Sequence, residues 1–173
     1  MKKLLFTLSL MVAGLITFAQ APLQKGEMQL NAGFGFSNYG LPVYGGAEYG
    51  VGNNITVGGE LAYRNHSEKY MTVKWKENYT TIAGFGNYHF NELLQIPSNF
   101  DVYAGATLGY TIFNSKIDDG SSSVSYSGSG SSGLYLNGQI GGRYFFTDKI
   151  GVNLEFGGGN YFSGGKIGIT FIL

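Results

Sequence analysis

The 173-residue chain has no cysteine, three prolines and a single tryptophan. Without cysteine there is no disulfide framework, no thiolate metal site, no cysteine nucleophile and no residue for N-terminal lipid attachment. Charge is scarce too: Asp, Glu, Lys and Arg make up 13% of the residues, about half the share of an ordinary soluble domain. So thin a complement is a poor coat for a water-facing surface. Lys and Arg number 11, as do Asp and Glu, and nothing in that overall balance attracts nucleic acid or an acidic membrane surface. Only one long apolar run exists, residues 4–18, and its roughly 15 residues fall short of the ~20 that a spanning helix needs.

That run follows Lys2 and Lys3 and precedes the small residues Ala19 and Ala21. A positive start, an apolar middle and a small-residue end are the marks of a secretory signal peptide. The expectation is a signal over residues 1–20, cut after Ala19 or Ala21, and one domain over 21–173, a length that suits a single core. Losing Lys2 and Lys3 leaves nine bases against eleven acids, a net charge of −2.

What is abundant is glycine, 29 residues, and aromatics, 16%. This helix-hostile mixture is arranged with a period of two, the pattern of strands with chemically different faces. Met28, Leu30, Ala32, Phe34 and Phe36 alternate with Gln29, Asn31, Gly33, Gly35 and Ser37. A second strand carries Val43, Ala47, Tyr49 and Val51 opposite Tyr44 and Glu48. After a tight Gly52-Asn53-Asn54 turn, a third sets Ile55, Val57, Leu61 and Tyr63 against Thr56, Glu60 and Arg64. In the fourth, Ile82, Gly84, Gly86, Tyr88 and Phe90 are expected on one face and Ala83, Phe85, Asn87 and His89 on the other. Alternation continues through strands led by Val102, Leu134, Val152 and Ile167, for a total of eight. Connections after the odd strands are longer than those after the even ones, apart from residues 91–99, which matches outer loops and inner turns with both termini inside.

Every charged residue in these strand cores, Glu48, Glu60, Arg64, Arg143, Glu155 and Lys166, lies opposite the aliphatics and aromatics. Eight strands leave an interior just wide enough for packed side chains. The Gly, Thr, Asn and Gln face suits that space, and the bulky apolar face suits lipid. Tyr49, Tyr88, Phe90, Tyr144 and Phe146 fall toward one end of the apolar face, and Phe36, Tyr63 and Tyr110 toward the other, as two interfacial girdles would. In hydrocarbon only a closed sheet pairs all its backbone groups. The fold expected is therefore an all-β, eight-stranded antiparallel up-and-down transmembrane β-barrel.

Asn87-Tyr88-His89-Phe90-Asn91, Asp101-Val102-Tyr103-Ala104-Gly105, and Gly142-Arg143-Tyr144-Phe145-Phe146 followed by Gly151-Val152-Asn153-Leu154-Glu155 carry a resemblance. The chain resembles the outer-membrane β-barrel domain family of small OmpA-like and OmpX-like proteins over essentially all of 21–173. The resemblance implies the outer membrane as the location, its lipid as the surroundings, and assembly by the barrel-assembly machinery acting on the C-terminal strand. Such barrels often end on an aromatic residue, whereas this chain ends on Leu173 with Phe171 two places earlier.

Charges confined in a narrow lumen cost several kcal/mol each if unpaired. Glu48, Glu60 and Glu155 with Arg64, Arg143 and Lys166 are therefore expected to form a polar network that plugs it. Glu48 and Glu60 lie nearly opposite across the second turn, as do Arg143 and Glu155 across the turn at Thr147. His89 reads as hydrogen-bonded near the inner rim. The adjacent His66, Ser67 and Glu68 contain the residue types of a hydrolase, but adjacency does not make a triad. Asp118-Asp119-Gly120 lacks alternating oxygen ligands and reads as a turn. No catalytic, metal or cofactor site is assigned. Residues 121–133, almost wholly Ser and Gly, read as a mobile loop, whereas Met71, Val73 and Trp75 interleave with lysines in strands that extend past the membrane. Those three are the candidate contacts for a surface protein or host ligand. The functional expectation is a non-enzymatic envelope protein with a structural or adhesion-like role. The alternatives are a narrow, weakly conducting pore and a lipid-modifying enzyme.

Overall fold

The computed structural model describes residues 22–37, 40–70, 73–118, 123–124 and 130–173, with side chains described outside 66–76 and 116–124. The expected signal segment lies outside these residues. Nine strands are described: β1 (Met28–Ser37), β2 (Val43–Gly52), β3 (Ile55–Tyr70), β4 (Val73–His89), β5 (Phe100–Asp118), β6 (Ser123–Val124), β7 (Gly133–Phe145), β8 (Ile150–Gly159) and β9 (Ser163–Ile172), with a one-turn helix α1 (Asn91–Leu94) between β4 and β5. Eight of them pair antiparallel with their neighbours, and β1 pairs with β9 to close the ring. The two-residue β6 lies within the stretch expected to be an open loop and pairs with Ile117 and Asp118; most of the remainder of that stretch lies outside the described residues.

Stepping across Cα partners from Met28 through Tyr49, Val57, Gly86, Ala106, Gly138 and Gly158 leads to Ser163. Ser163 is one residue short of the Gly164 that faces Ser37. One circuit thus climbs from position 28 to position 38, a stagger of ten residues. Such a stagger tilts the strands by roughly 35–45° and sets the width of the barrel.

The alternation read from the sequence is the alternation observed. Leu30, Phe34, Leu61, Ile82, Leu108, Leu136, Ile140, Leu154, Ile167 and Ile169 are all exposed on the outside, forming a continuous apolar belt far beyond what a soluble monomer shows. The fourth strand has its expected register, with Ala83, Asn87 and His89 buried inward and Ile82 and Tyr88 outward. Aromatic rings touch at the end shared with the termini: Phe100 and Tyr144 have centroids 4.8 Å apart, Tyr144 and Phe146 5.3 Å, and Tyr88 and Phe90 5.1 Å. Phe36 and Phe156 meet at the opposite end.

Local chemistry explains the inner turns. Asn53 and Asn54 adopt φ of 56° and 59°, the left-handed pair that a two-residue hairpin turn demands and asparagine tolerates. Around α1, the buried Asn91 donates Nδ2 to the Phe100 carbonyl at 2.6 Å and accepts the Val102 amide at 3.1 Å, clamping the start of β5. Leu23 tucks against Phe145 and Ile172 in a small buried cluster, so the segment leading into β1 packs an apolar residue across the inner mouth. At the outer end β3, β4 and β5 remain paired well beyond the last β2–β3 and β5–β7 partners, giving a three-stranded ribbon as the 65–78 pattern implied.

Candidate functional site

Polar and charged side chains line the lumen from the inner end upward. Glu48 on β2 is fully buried and faces Arg143 on β7, whose Nη2 lies 2.5 Å from Glu48 Oε2 while Nη1 lies 2.7 Å from Asp101 Oδ2. Gln29 donates Nε2 to Glu48 Oε2 at 2.6 Å, Asn87 donates Nδ2 to Oε1 at 3.1 Å, and the Thr56 hydroxyl donates to Oε1 in a very short bond. Every lone-pair direction of this carboxylate is thereby engaged, the condition under which a buried charge is tolerated.

His89 sits against the same group, with Nε2 2.9 Å from Thr56 Oγ1 and Nδ1 2.6 Å from Asp101 Oδ1. The line Thr56, His89, Asp101 superficially has the order of a hydrolase triad. The Thr56 hydroxyl here is turned to the Glu48 carboxylate, and both ring nitrogens of His89 are enclosed in the buried layer that Arg143 completes with Glu48 and Asp101.

A second cluster lies higher. Lys166 on β9 donates Nζ to both carboxylate oxygens of Glu60 at 2.8 Å and lies 3.3 Å from Glu155 Oε1. Tyr103 joins the two clusters: its hydroxyl donates to Glu155 at 3.0 Å and its ring lies under the Arg143 guanidinium, 4.2 Å from centroid to Cζ. Tyr44 donates to Asn153 Oδ1 at 2.7 Å and lies below Lys166. Inward glycines make room for these rings. A Cβ on Gly141 would collide with the Tyr103 ring, and one on Gly168 with the Tyr44 hydroxyl.

All six charged residues expected in the lumen are there, but their partners differ from the pairs read across the turns. Arg143 aligns with Asn153, and Glu155 with Gly141. Arg143 instead faces Asp101 on neighbouring β5 and Glu155 faces Lys166 on neighbouring β9, while Glu48 and Glu60 reach Arg143 and Lys166 from across the narrow lumen. Glu48 and Glu60 likewise belong to different clusters. Arg64, 4.4 Å over the Tyr79 ring and bonded to the Tyr161 carbonyl, sits at the outer mouth. The expected balance of three acids and three bases left out Asp101, which joins the Arg143 layer together with His89. Asp101 had a signal, since it stands two residues before the inward-facing Tyr103 and shares its parity.

Between the clusters lies a cavity of about 30 Å³, lined by Asn31, Phe85 and Gln139 among others. Above Lys166 an outward-opening cavity of about 40 Å³ is lined by Tyr44, Arg64, Tyr79, Tyr135 and Phe162. Each is large enough for a water or two. No group of three or more metal-ligating side chains occurs among the described residues. His66, Ser67 and Glu68 are consecutive on β3, so Ser67 occupies the opposite sheet face from the other two; their side chains lie outside the described set.

A closed, staggered antiparallel barrel with an apolar exterior and an ion-paired interior defines a class, the outer-membrane β-barrel. The chain belongs to the outer membrane protein beta-barrel domain family, whose model matches residues 6–170. Its fold is similar to that of Ail, the attachment invasion locus protein of Yersinia pestis, at 15% identity and a TM-score of 0.52, covering 86% of this chain and 96% of that one; Ail has also been solved with the heparin analogue sucrose octasulfate. The N-terminal barrel domain of Pseudomonas aeruginosa OprF matches at 15% identity and a TM-score of 0.53, covering 86% and 98%. Neisserial surface protein A matches at 15% and 0.51, covering 84% and 94%. No curated protein sequence matches the chain.

Proposed function

We propose that this is a non-enzymatic outer-membrane protein whose barrel is a plugged anchor and whose outer ribbon is an interaction surface. Residues 1–20 direct its export, and its C-terminal strand is read by the barrel-assembly machinery. The observation that carries the reading is the cross-lumen network: Glu48, Arg143, Asp101 and His89 form one layer, and Lys166, Glu60 and Glu155 another. A buried cluster of Leu23, Phe145 and Ile172 supports closure of the inner mouth. The machinery of the barrel is spent on itself, which leaves the ribbon of β3, β4 and β5 as the part available to a partner. Val73 and Trp75 stand on that ribbon and Met71 lies just outside the described residues. Support for a surface role comes also from the fold shared with Ail.

The test is conductance of the refolded chain in planar bilayers. Absence of steady current at neutral pH and moderate voltage fits the plugged anchor. Steady current would replace it with the narrow-pore reading, which the two water-sized cavities favour. Turnover of outer-membrane lipid by the purified protein would sink the non-enzymatic reading.

A further inference from the structure

Residues 91–99, which join β4 to β5 and contain α1, are longer than the other inner turns, and their chemistry is turned inside out. The one charged residue, Glu92, accepts the Asn54 side-chain amide at 2.6 Å, and the Asn91 side chain is spent on the Phe100 carbonyl and the Val102 amide. The apolar residues are what the turn presents. Leu93 is 69% exposed, more than any other large apolar side chain among the described residues. Leu94 is 60% exposed, matching Leu61 and Ile169 of the lipid-facing belt, and Ile96 is partly exposed beside them.

These leucines are held in place. The Leu94 amide donates to the Phe90 carbonyl at 2.9 Å and the Ile96 amide to the Asn91 carbonyl at 2.9 Å, and Gln95 closes the turn with a φ of 52°. The Asn99 carbonyl accepts the Phe145 amide at 2.8 Å, which ties the far end to β7. At about 100° per helical residue, Leu93 projects roughly opposite the buried Asn91 and so away from the barrel. A turn bathed in water normally shows its polar groups to the solvent. Here Asn91 and Glu92 serve the barrel, and two leucines face whatever surrounds it.

We propose that α1 is an interfacial foot, with Leu93 and Leu94 inserted at the boundary between phospholipid headgroups and acyl chains of the inner leaflet. Position selects the occupant. The turn runs from Phe90 to Phe100, and both rings belong to the aromatic cluster at this end of the barrel, where such girdles mark the membrane interface. Leu93 lies three residues beyond Phe90, about 4.5 Å along a helix, so its apolar surface continues the belt. That is within the ~5–10 Å depth at which amphipathic segments rest in the headgroup and acyl boundary. Two leucines and Ile96 supply only a small part of the ~800 Å² per partner that a standard protein interface buries, which favours lipid over a periplasmic protein. Because Asn91 clamps the start of β5, vertical slip of these strands would drag the leucines out of the leaflet. The foot thereby sets the depth at which the barrel rides, whether or not the lumen conducts.

The experiment places a reporter in the foot. In a Trp75→Phe background, which removes the single tryptophan, Leu93→Trp and Leu94→Trp are refolded in phospholipid vesicles beside two references, Leu108→Trp in the belt and Lys149→Trp in the turn after β7. Emission from the Leu93→Trp and Leu94→Trp variants should be blue-shifted relative to Lys149→Trp. It should be quenched at least about twofold more by lipid brominated near the headgroup than by lipid brominated near the chain end, as a shallow interfacial segment requires, with the reverse order for Leu108→Trp. Leu93→Gln with Leu94→Gln should keep heat-modifiable mobility while amide hydrogen exchange over residues 91–99 in vesicles rises severalfold. Emission and quenching equal to those of Lys149→Trp would overturn the proposal, as would unchanged exchange in the glutamine variant. Water-like emission in vesicles that turns blue only when soluble periplasmic proteins are added would overturn it in favour of a protein partner.

Discussion

Arg143 reaches across the lumen to put Nη2 2.5 Å from Glu48 Oε2, although 95 residues separate the two in the chain. The same guanidinium holds Asp101 with its other nitrogen. Arg143→Met therefore strands two buried carboxylates at once, and breaking a buried pair by removing one partner costs about 3–5 kcal/mol. Urea unfolding in lipid vesicles should show a loss of that size. Adding Glu48→Gln and Asp101→Asn to Arg143→Met should recover part of it, and no recovery would mean that packing of the guanidinium on Tyr103 carries the effect.

His89 offers a spectroscopic check. With Nε2 against the Thr56 hydroxyl that is turned to Glu48, and Nδ1 against the Asp101 carboxylate, side-chain nitrogen spectra of the refolded protein at neutral pH should show both ring nitrogens protonated. A single unprotonated nitrogen would redirect the Thr56 hydroxyl and reopen a base role for the ring.

Gly141 lies beneath Tyr103, where a Cβ would collide with the ring. Gly141→Ala should force Tyr103 off Glu155 and the Arg143 guanidinium and lower stability by about 1–3 kcal/mol, the usual penalty of overpacking. Gly138, whose added Cβ meets nothing within 4 Å, is the control on the same strand. Equal losses at the two positions would show that backbone propensity, not the ring, dominates.

Leu108 is 56% exposed midway along the apolar belt. Leu108→Arg should cost about 2–4 kcal/mol in vesicle-supported folding, the expense of a cation near the bilayer midplane. A loss near zero would place this face in water and revive the soluble-barrel architecture.

Trp75 stands in the outer ribbon, and Trp75→Ala should weaken binding to a surface partner by about 1 kcal/mol or more without altering heat-modifiable mobility. Unchanged affinity for an identified partner would remove Trp75 from the contact surface.

Strand faces were readable because alternation is local: Glu48, Glu60, Arg64, Arg143, Glu155 and Lys166 declare an inward face through their immediate neighbours. The fourth strand likewise follows from Ile82 and Tyr88 standing against Asn87 and His89. Charge scarcity, the eight-strand count and the apolar exterior are likewise properties of the chain itself. Who pairs with whom is not: Asp101 and Glu155 meet Arg143 and Lys166 through the register of neighbouring strands, and Glu48 and Glu60 reach the same two cations from distant strands that meet only when the sheet closes with its ten-residue stagger.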